Sequence, residues 1–72
     1  MNVKRSFSLA GHRTSVSLEP EFWQVLEQMA AARTLSLAAL IQDIDQNREG
    51  SNLASACRLE ALRFFRAQSA DR

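Results

Sequence analysis

The sequence predicts a mainly α-helical fold with an N-terminal β-ribbon. Residues 13–18, Arg-Thr-Ser-Val-Ser-Leu, alternate between two faces with a period of two, as a half-buried strand does. From Pro20 onward, apolar residues recur at helical spacing in three successive stretches. Proline, glycine and helix-capping residues separate those stretches.

In the strand, Thr14, Val16 and Leu18 share one face and Arg13, Ser15 and Ser17 the other. Arg5-Ser6-Phe7-Ser8-Leu9 alternates too, but its apolar residues are odd-numbered, so the apolar phase flips between Leu9 and Thr14. One continuous strand cannot hold both apolar sets on one face. Ala10-Gly11 lies in the gap, where glycine suits a turn or a bulge. Residues 3–9 are therefore expected to be either the other arm of a hairpin or a broken, flanking piece of strand.

Pro20 ends the strand and suits the first position of a helix, because its missing N–H would have had no partner there. Glu21 follows in the first turn, where the helix dipole favours an anion. Phe22, Val25, Leu26 and Met29 form an apolar stripe that Trp23 widens, and the helix is expected to run to about Arg33. After the short link Thr34-Leu35, Ser36 is a good N-cap for a second helix with Leu37, Leu40, Ile41 and Ile44 on its apolar face. Gly50 stops it. Ser51 or Asn52 caps a third helix over about residues 51–67, with Leu53, Ala54, Cys57, Ala61, Leu62, Phe64 and Phe65 as its apolar positions. Residues 67–72 are expected to fray.

Seventy-two residues allow one domain, 1–72, whose stability alone is marginal. A single cysteine, Cys57, excludes an intrachain disulfide, and with only His12 beside it no metal site is expected. The apolar content of 46% instead suggests surface that a partner covers. No run has signal-peptide character or membrane-spanning length, and a lone cysteine suits a reducing compartment, so a cytoplasmic protein without membrane contact is expected. Net charge is only +1, but it is unevenly spread. Residues 1–18 carry Lys4, Arg5 and Arg13 and no acid, residues 19–49 have a net charge of −4, and residues 50–72 of +2. The basic end is the strand end.

A strand ahead of helices leaves backbone donors and acceptors open along its edges. A hairpin with residues 4–9 would satisfy one edge, and antiparallel pairing with its own copy across a two-fold axis would satisfy the other and make a homodimer. Arg13, Ser15 and Ser17 would then line the outer face of a two-stranded ribbon, a shape that the major groove of double-stranded DNA admits. Arginine forks onto guanine O6 and N7, and serine donates or accepts. Ser36, at a helix start, offers backbone N–H groups to a phosphate.

On these residues the sequence resembles the ribbon-helix-helix family, the class of the Arc and MetJ repressors. The likeness covers the core at about 13–47, from Ser15-Val16-Ser17-Leu18 through Pro20-Glu21 and Ser36-Leu37. More narrowly, Gly11-His12-Arg13-Thr14-Ser15, Leu18-Glu19 with Phe22-Trp23, Ile44-Asp45 with Arg48, and Asn52-Leu53-Ala54-Ser55 with Arg58 resemble a set of short bacterial members. The resemblance implies an intertwined homodimer whose ribbon enters the major groove, as in a transcriptional regulator. It implies base contacts at Arg13, Ser15 and Ser17, and a phosphate clamp at the main chain of Ser36 and Leu37. The shared dimer core is expected at Thr14, Val16, Leu18, Phe22, Trp23, Leu26, Leu40, Ile41 and Ile44. The sequence departs from many members in having Arg33-Thr34 where they carry glycine, in the shortness of Ser15 and Ser17, and in its third helix.

Other residues carry blander readings. Lys4 and Arg5 are either contacts to flanking phosphates or a disordered charged start. His12 is expected to donate to the turn backbone, Trp23 to pack in the core or dimer interface, and Cys57 to be buried. Arg58, Arg63 and Arg66 are expected to form a salt-bridged surface with Glu60. No catalytic constellation, phosphate loop or cofactor motif is readable, so no enzyme and no cofactor are expected. The competing reading is a protein-interaction module, either an antitoxin whose third helix engages a protein or a ribbon-helix-helix dimer without DNA binding.

Overall fold

A computed structural model describes residues 1–70 of the chain. Two strands, β1 (Val3–Leu9) and β2 (His12–Leu18), precede three helices, α1 (Pro20–Ala32), α2 (Leu37–Asn47) and α3 (Leu53–Ala70). The strands form one antiparallel hairpin, in register from Val3 opposite Leu18 to Leu9 opposite His12. Its loop is the two residues Ala10 and Gly11, both in the left-handed region at φ 50° and 82°. That is the geometry whose twist matches the flanking strands.

The hairpin accounts for the phase flip. In this register each odd residue of β1 stands opposite an even residue of β2. Val3, Arg5, Phe7 and Leu9 thus share the inner face with Thr14, Val16 and Leu18. The alternation of residues 13–18 alone places a second copy of that strand beside the first. The structure places β1 on one edge of β2.

Leu9, Val16 and Leu18 are buried under the helices, and α2 lies against β1 while α3 lies against β2. α1 contributes Trp23, Leu26, Met29 and Ala30, α2 contributes Leu40, Ile41 and Ile44, and α3 contributes Leu53, Cys57 and Ala61 to the same core. Among the described residues no polar or charged residue is buried. Trp23 ties the hairpin to α1. Its indole Nε1 donates to the Val3 carbonyl at 2.8 Å, the Phe7 ring packs 6.0 Å away, and the Arg5 guanidinium lies 5.0 Å from the indole centroid.

The helix boundaries follow their capping chemistry. Pro20 opens α1 after an extended Glu19. Arg33 is the C-cap, and Thr34 follows at φ 58°. The Leu35 N–H bonds to Ala30 O at 2.8 Å and the Thr34 N–H to Ala31 O at 3.1 Å, which is the Schellman arrangement with threonine in the place that glycine usually takes. Ser36 Oγ caps α2 through the Ala39 N–H, and Asn52 Oδ1 caps α3 through the Ser55 N–H at 2.8 Å.

The third helix differs from expectation in three ways. It continues through residues 67–70, which the sequence suggested would fray; residues 71 and 72 lie outside the described residues. Leu62 and Phe65 are exposed, together with Leu59, because the core side of α3 is the narrow line of Leu53, Cys57 and Ala61. Arg63 does pair with Glu60 at 3.0 Å, but Arg58 reaches across to Glu19, also at 3.0 Å. Burial, with a further contribution from Asp45, pushes the Cys57 thiol up to about 11, consistent with an inert packing role.

The Arg58 hydrogen bond, with a lesser one from its own backbone, holds the Glu19 carboxyl below its ordinary range. Its contribution to stability is complete above that range and is lost as pH falls through the depressed value. Replacing Arg58 with Ala should raise the Glu19 midpoint in an NMR titration and remove this part of the acid dependence; an unchanged midpoint would refute the link. Two residues carry a backbone cost that substitution can relieve. Thr34→Gly and Ala10→Asn should each stabilise the fold by roughly 1 kcal/mol, read as a higher midpoint in thermal or urea unfolding.

Candidate nucleic-acid interface

The face of the hairpin turned away from the helices carries Lys4, Ser6 and Ser8 from β1 and Arg13, Ser15 and Ser17 from β2. All six are exposed. They stand in three cross-strand rows, Lys4 with Ser17, Ser6 with Ser15, and Ser8 with Arg13. Side chains in such rows are close neighbours. The Ser6 and Ser15 hydroxyls are 3.0 Å apart and hydrogen-bonded. The two cations sit at diagonally opposite corners, with serines between them, and the face has no carboxylate.

This placement brings Arg13, Ser15 and Ser17 together, and it separates Lys4 from Arg5. Lys4 shares the outer face. Arg5 is on the inner face, over Trp23 and 3.8 Å from a Glu27 carboxylate oxygen, and lies within β1 rather than in a disordered start. The odd-even phase decides the matter, because neighbouring residues in a strand point to opposite sides. His12 opens β2 opposite Leu9 and is exposed; the expected hydrogen bond from its ring to the turn is not formed among the described residues.

Ser6 and Ser8 also stand on this exposed face, which the alternation of residues 13–18 alone does not reveal. The signal was present in the phase flip, which places the even residues of β1 with the odd residues of β2 once a two-residue turn joins them. Ala-Gly is a weaker turn signal than Asn-Gly, so the sequence leaves a hairpin and a broken strand both open.

At the start of α2, Ser36 is exposed and its hydroxyl accepts from Ala39. The first intrahelical bond runs from the Leu40 N–H to Ser36 O at 3.0 Å. The N–H groups of Leu37 and Ala38 thus have no acceptor within the helix, and the dipole adds partial positive charge there. A shallow groove of about 470 Å³ joins this helix start to the ribbon, lined by Ser8 on one side and by Leu35, Ala38, Ala39 and Gln42 on the other. The strand beside the helix start is β1.

Of the nine residues expected in a shared dimer core, Val16, Leu18, Trp23, Leu26, Leu40, Ile41 and Ile44 are buried within one chain, whereas Thr14 and Phe22 are half-buried. Among the described residues no group of three or more His, Cys, Asp or Glu side chains could hold a metal ion, and no helix is long and apolar enough to cross a membrane.

Comparison with known proteins gives one family match. A family model for the ribbon-helix-helix domain matches residues 2–65, a span that takes in both strands, α1, α2 and most of α3. No curated protein and no solved structure gives a significant match.

Proposed function

Because the chain belongs to the ribbon-helix-helix family, whose members are generally DNA-binding regulators and typically act as dimers, we propose that it is a dimeric, sequence-specific DNA binder that regulates transcription. The observation that carries this reading is the outer face of the hairpin, where every side chain is capable of hydrogen bonding, both charges are positive, and no acid is present. A face of that kind suits the negative potential and the donor and acceptor edges of the major groove.

In this reading Arg13 takes the fork of acceptors on a guanine, and Ser15 and Ser17 bond neighbouring base edges. Lys4, at the corner of the face, reaches a flanking phosphate. The N–H groups at the start of α2, from Ser36 and Leu37 onward, hold a backbone phosphate and fix the register of the ribbon on the duplex. The exposed side chains Leu59, Leu62 and Phe65 on α3 support association with a second copy or with a protein partner. Work in the reducing cytoplasm is consistent with the buried free thiol of Cys57. Nothing in this scheme requires a cofactor or a chemical step.

Selection from random duplexes, run with the wild type and Arg13→Ala at two salt concentrations, tests the reading. The wild type should enrich a defined site and lose affinity as salt rises. Arg13→Ala should lose about 1–3 kcal/mol on that site and relax preference at one guanine. No enriched site and no salt dependence would leave the DNA-free, protein-interaction reading in its place. Light scattering at micromolar concentration should give the mass of two chains, and a clean monomer both free and on DNA would remove the dimer.

A further inference from the structure

We propose that the outer side of α3 is a contact between two copies of this chain, packed antiparallel so that Leu59 of each meets Leu62 of the other. The contact does not depend on DNA binding. Leu59, Leu62 and Phe65 are 46%, 47% and 56% exposed. They recur every third residue of α3, so they form one ridge that winds slowly along the helix. Leu53, Cys57 and Ala61 hold the other side of α3 in the core, and the ridge faces away from it.

The ridge and its margins complement themselves when reversed. With Leu59 opposite Leu62, antiparallel packing brings Phe65 level with Ser55 and Ala56 of the copy, whose small side chains leave room for the ring. Glu60 and Arg63 lie on one margin of the ridge and are joined within the chain at 3.0 Å. In antiparallel packing that margin meets the same margin of the copy. Glu60 then lies two residues, roughly 3 Å along the axis, from the level of Arg63 in the copy. Four charges of alternating sign form a network in place of two separate pairs. Parallel packing would instead set Arg63 against Arg63 and Arg66 against Arg66, with the two helix dipoles aligned. One sequence meets all these conditions against its own reverse, as a two-fold contact requires.

Size limits the strength of this contact. Three half-exposed side chains make a patch of roughly a few hundred Å², against about 800 Å² per partner in a standard stable interface. The contact is therefore weak alone, and it forms at high protein concentration or between copies already held together elsewhere. A cleft of about 460 Å³ between α2 and α3 opens beside Leu59, lined also by Ala56, Glu60 and Arg63. It leaves the helix of the copy free to approach along this margin.

Disulfide trapping tests the alignment, without DNA and on the full chain. Leu59→Cys and Leu62→Cys are mixed under mild oxidation, with one of them isotope-labelled so that mass spectrometry separates mixed from self-joined pairs. Mixed pairs should form roughly fivefold or more faster than self-joined ones, because disulfide geometry selects residues that face each other. The wild type, whose Cys57 is buried, should not cross-link. Sedimentation equilibrium at several hundred micromolar is the second measurement. The wild type should show a higher average mass than Leu62→Glu, with circular dichroism confirming that each variant folds. A predominance of self-joined pairs, or pairs in random proportion, overturns the antiparallel contact. Equal masses for the wild type and Leu62→Glu overturn it as well. If no pair forms, the proposal also falls, and the ridge is left to a protein of another kind.

Discussion

The two left-handed residues at the hairpin tip, Ala10 and Gly11, fix the register on which the outer face depends. A two-residue turn sets Leu9 opposite His12, and every later pair follows from that one. A slip of one residue would turn the apolar members of one strand to solvent and bring its polar members to the core. The register is held at its far end as well, where the Trp23 indole bonds the Val3 carbonyl on the strand pairing with Leu18. Tip and base together leave the hairpin a single way to present its side chains. Ion pairs do little of this. Arg5–Glu27, Arg33–Asp43 and Arg58–Glu19 are all substantially exposed, where such pairs contribute little.

The same register changes what a second chain is needed for. A strand followed by two helices has too little surface to bury its own apolar residues at this length. Here β1 pairs with β2 and α3 packs on both helices and on β2, so Val16, Leu18, Leu40 and Ile41 are enclosed by their own chain. The large apolar residues left exposed are Met1, Val3 and Leu35 together with Leu59, Leu62 and Phe65 on the outer side of α3. A dimer joined through that side of α3 would bury surface that one chain cannot cover.

Local chemistry made much of the fold legible. Pro20, Ser36 and Asn52 mark helix starts by mechanisms that act within a turn of the residue, and the structure places those starts there, whereas α2 ends at Asn47 with Arg48 as its C-cap, before the expected stop at Gly50. The stripe of Trp23, Leu26 and Met29 was equally readable, because helical period dictates the buried face. Interactions across long sequence separations were not readable. Arg58 finds Glu19 at a distance of 39 residues along the chain, and Arg5 finds Trp23 only because the hairpin puts β1 over α1. Thr34 was hidden for another reason. Its left-handed backbone is disfavoured for a β-branched residue, so a sequence pattern gives no cue that it completes a Schellman cap. The face of Arg13, Ser15 and Ser17 was visible in the period-two alternation, whereas its other half on β1 required knowledge of the turn.

The distribution of chemistry on that face bears on how such a ribbon would recognise DNA. Turning Arg5 inward leaves only Lys4 and Arg13 as cations on the outer side, at opposite corners, with four hydroxyls between them. Two charges supply a modest counterion-release term, so long-range attraction would be weak and the protein would spend little time on arbitrary sequence. Serine side chains are short, and they reach base edges only where the backbone itself comes close to the groove floor. A two-stranded face with no bulky residue along its centre allows that approach, and the corner cations then reach outward to the phosphates on either side. Specificity in this arrangement comes from the fit of a flat hydroxyl array to one pattern of donors and acceptors. In such a ribbon charge would fix where it lies on the duplex, and contacts to base edges would determine which sequence it accepts.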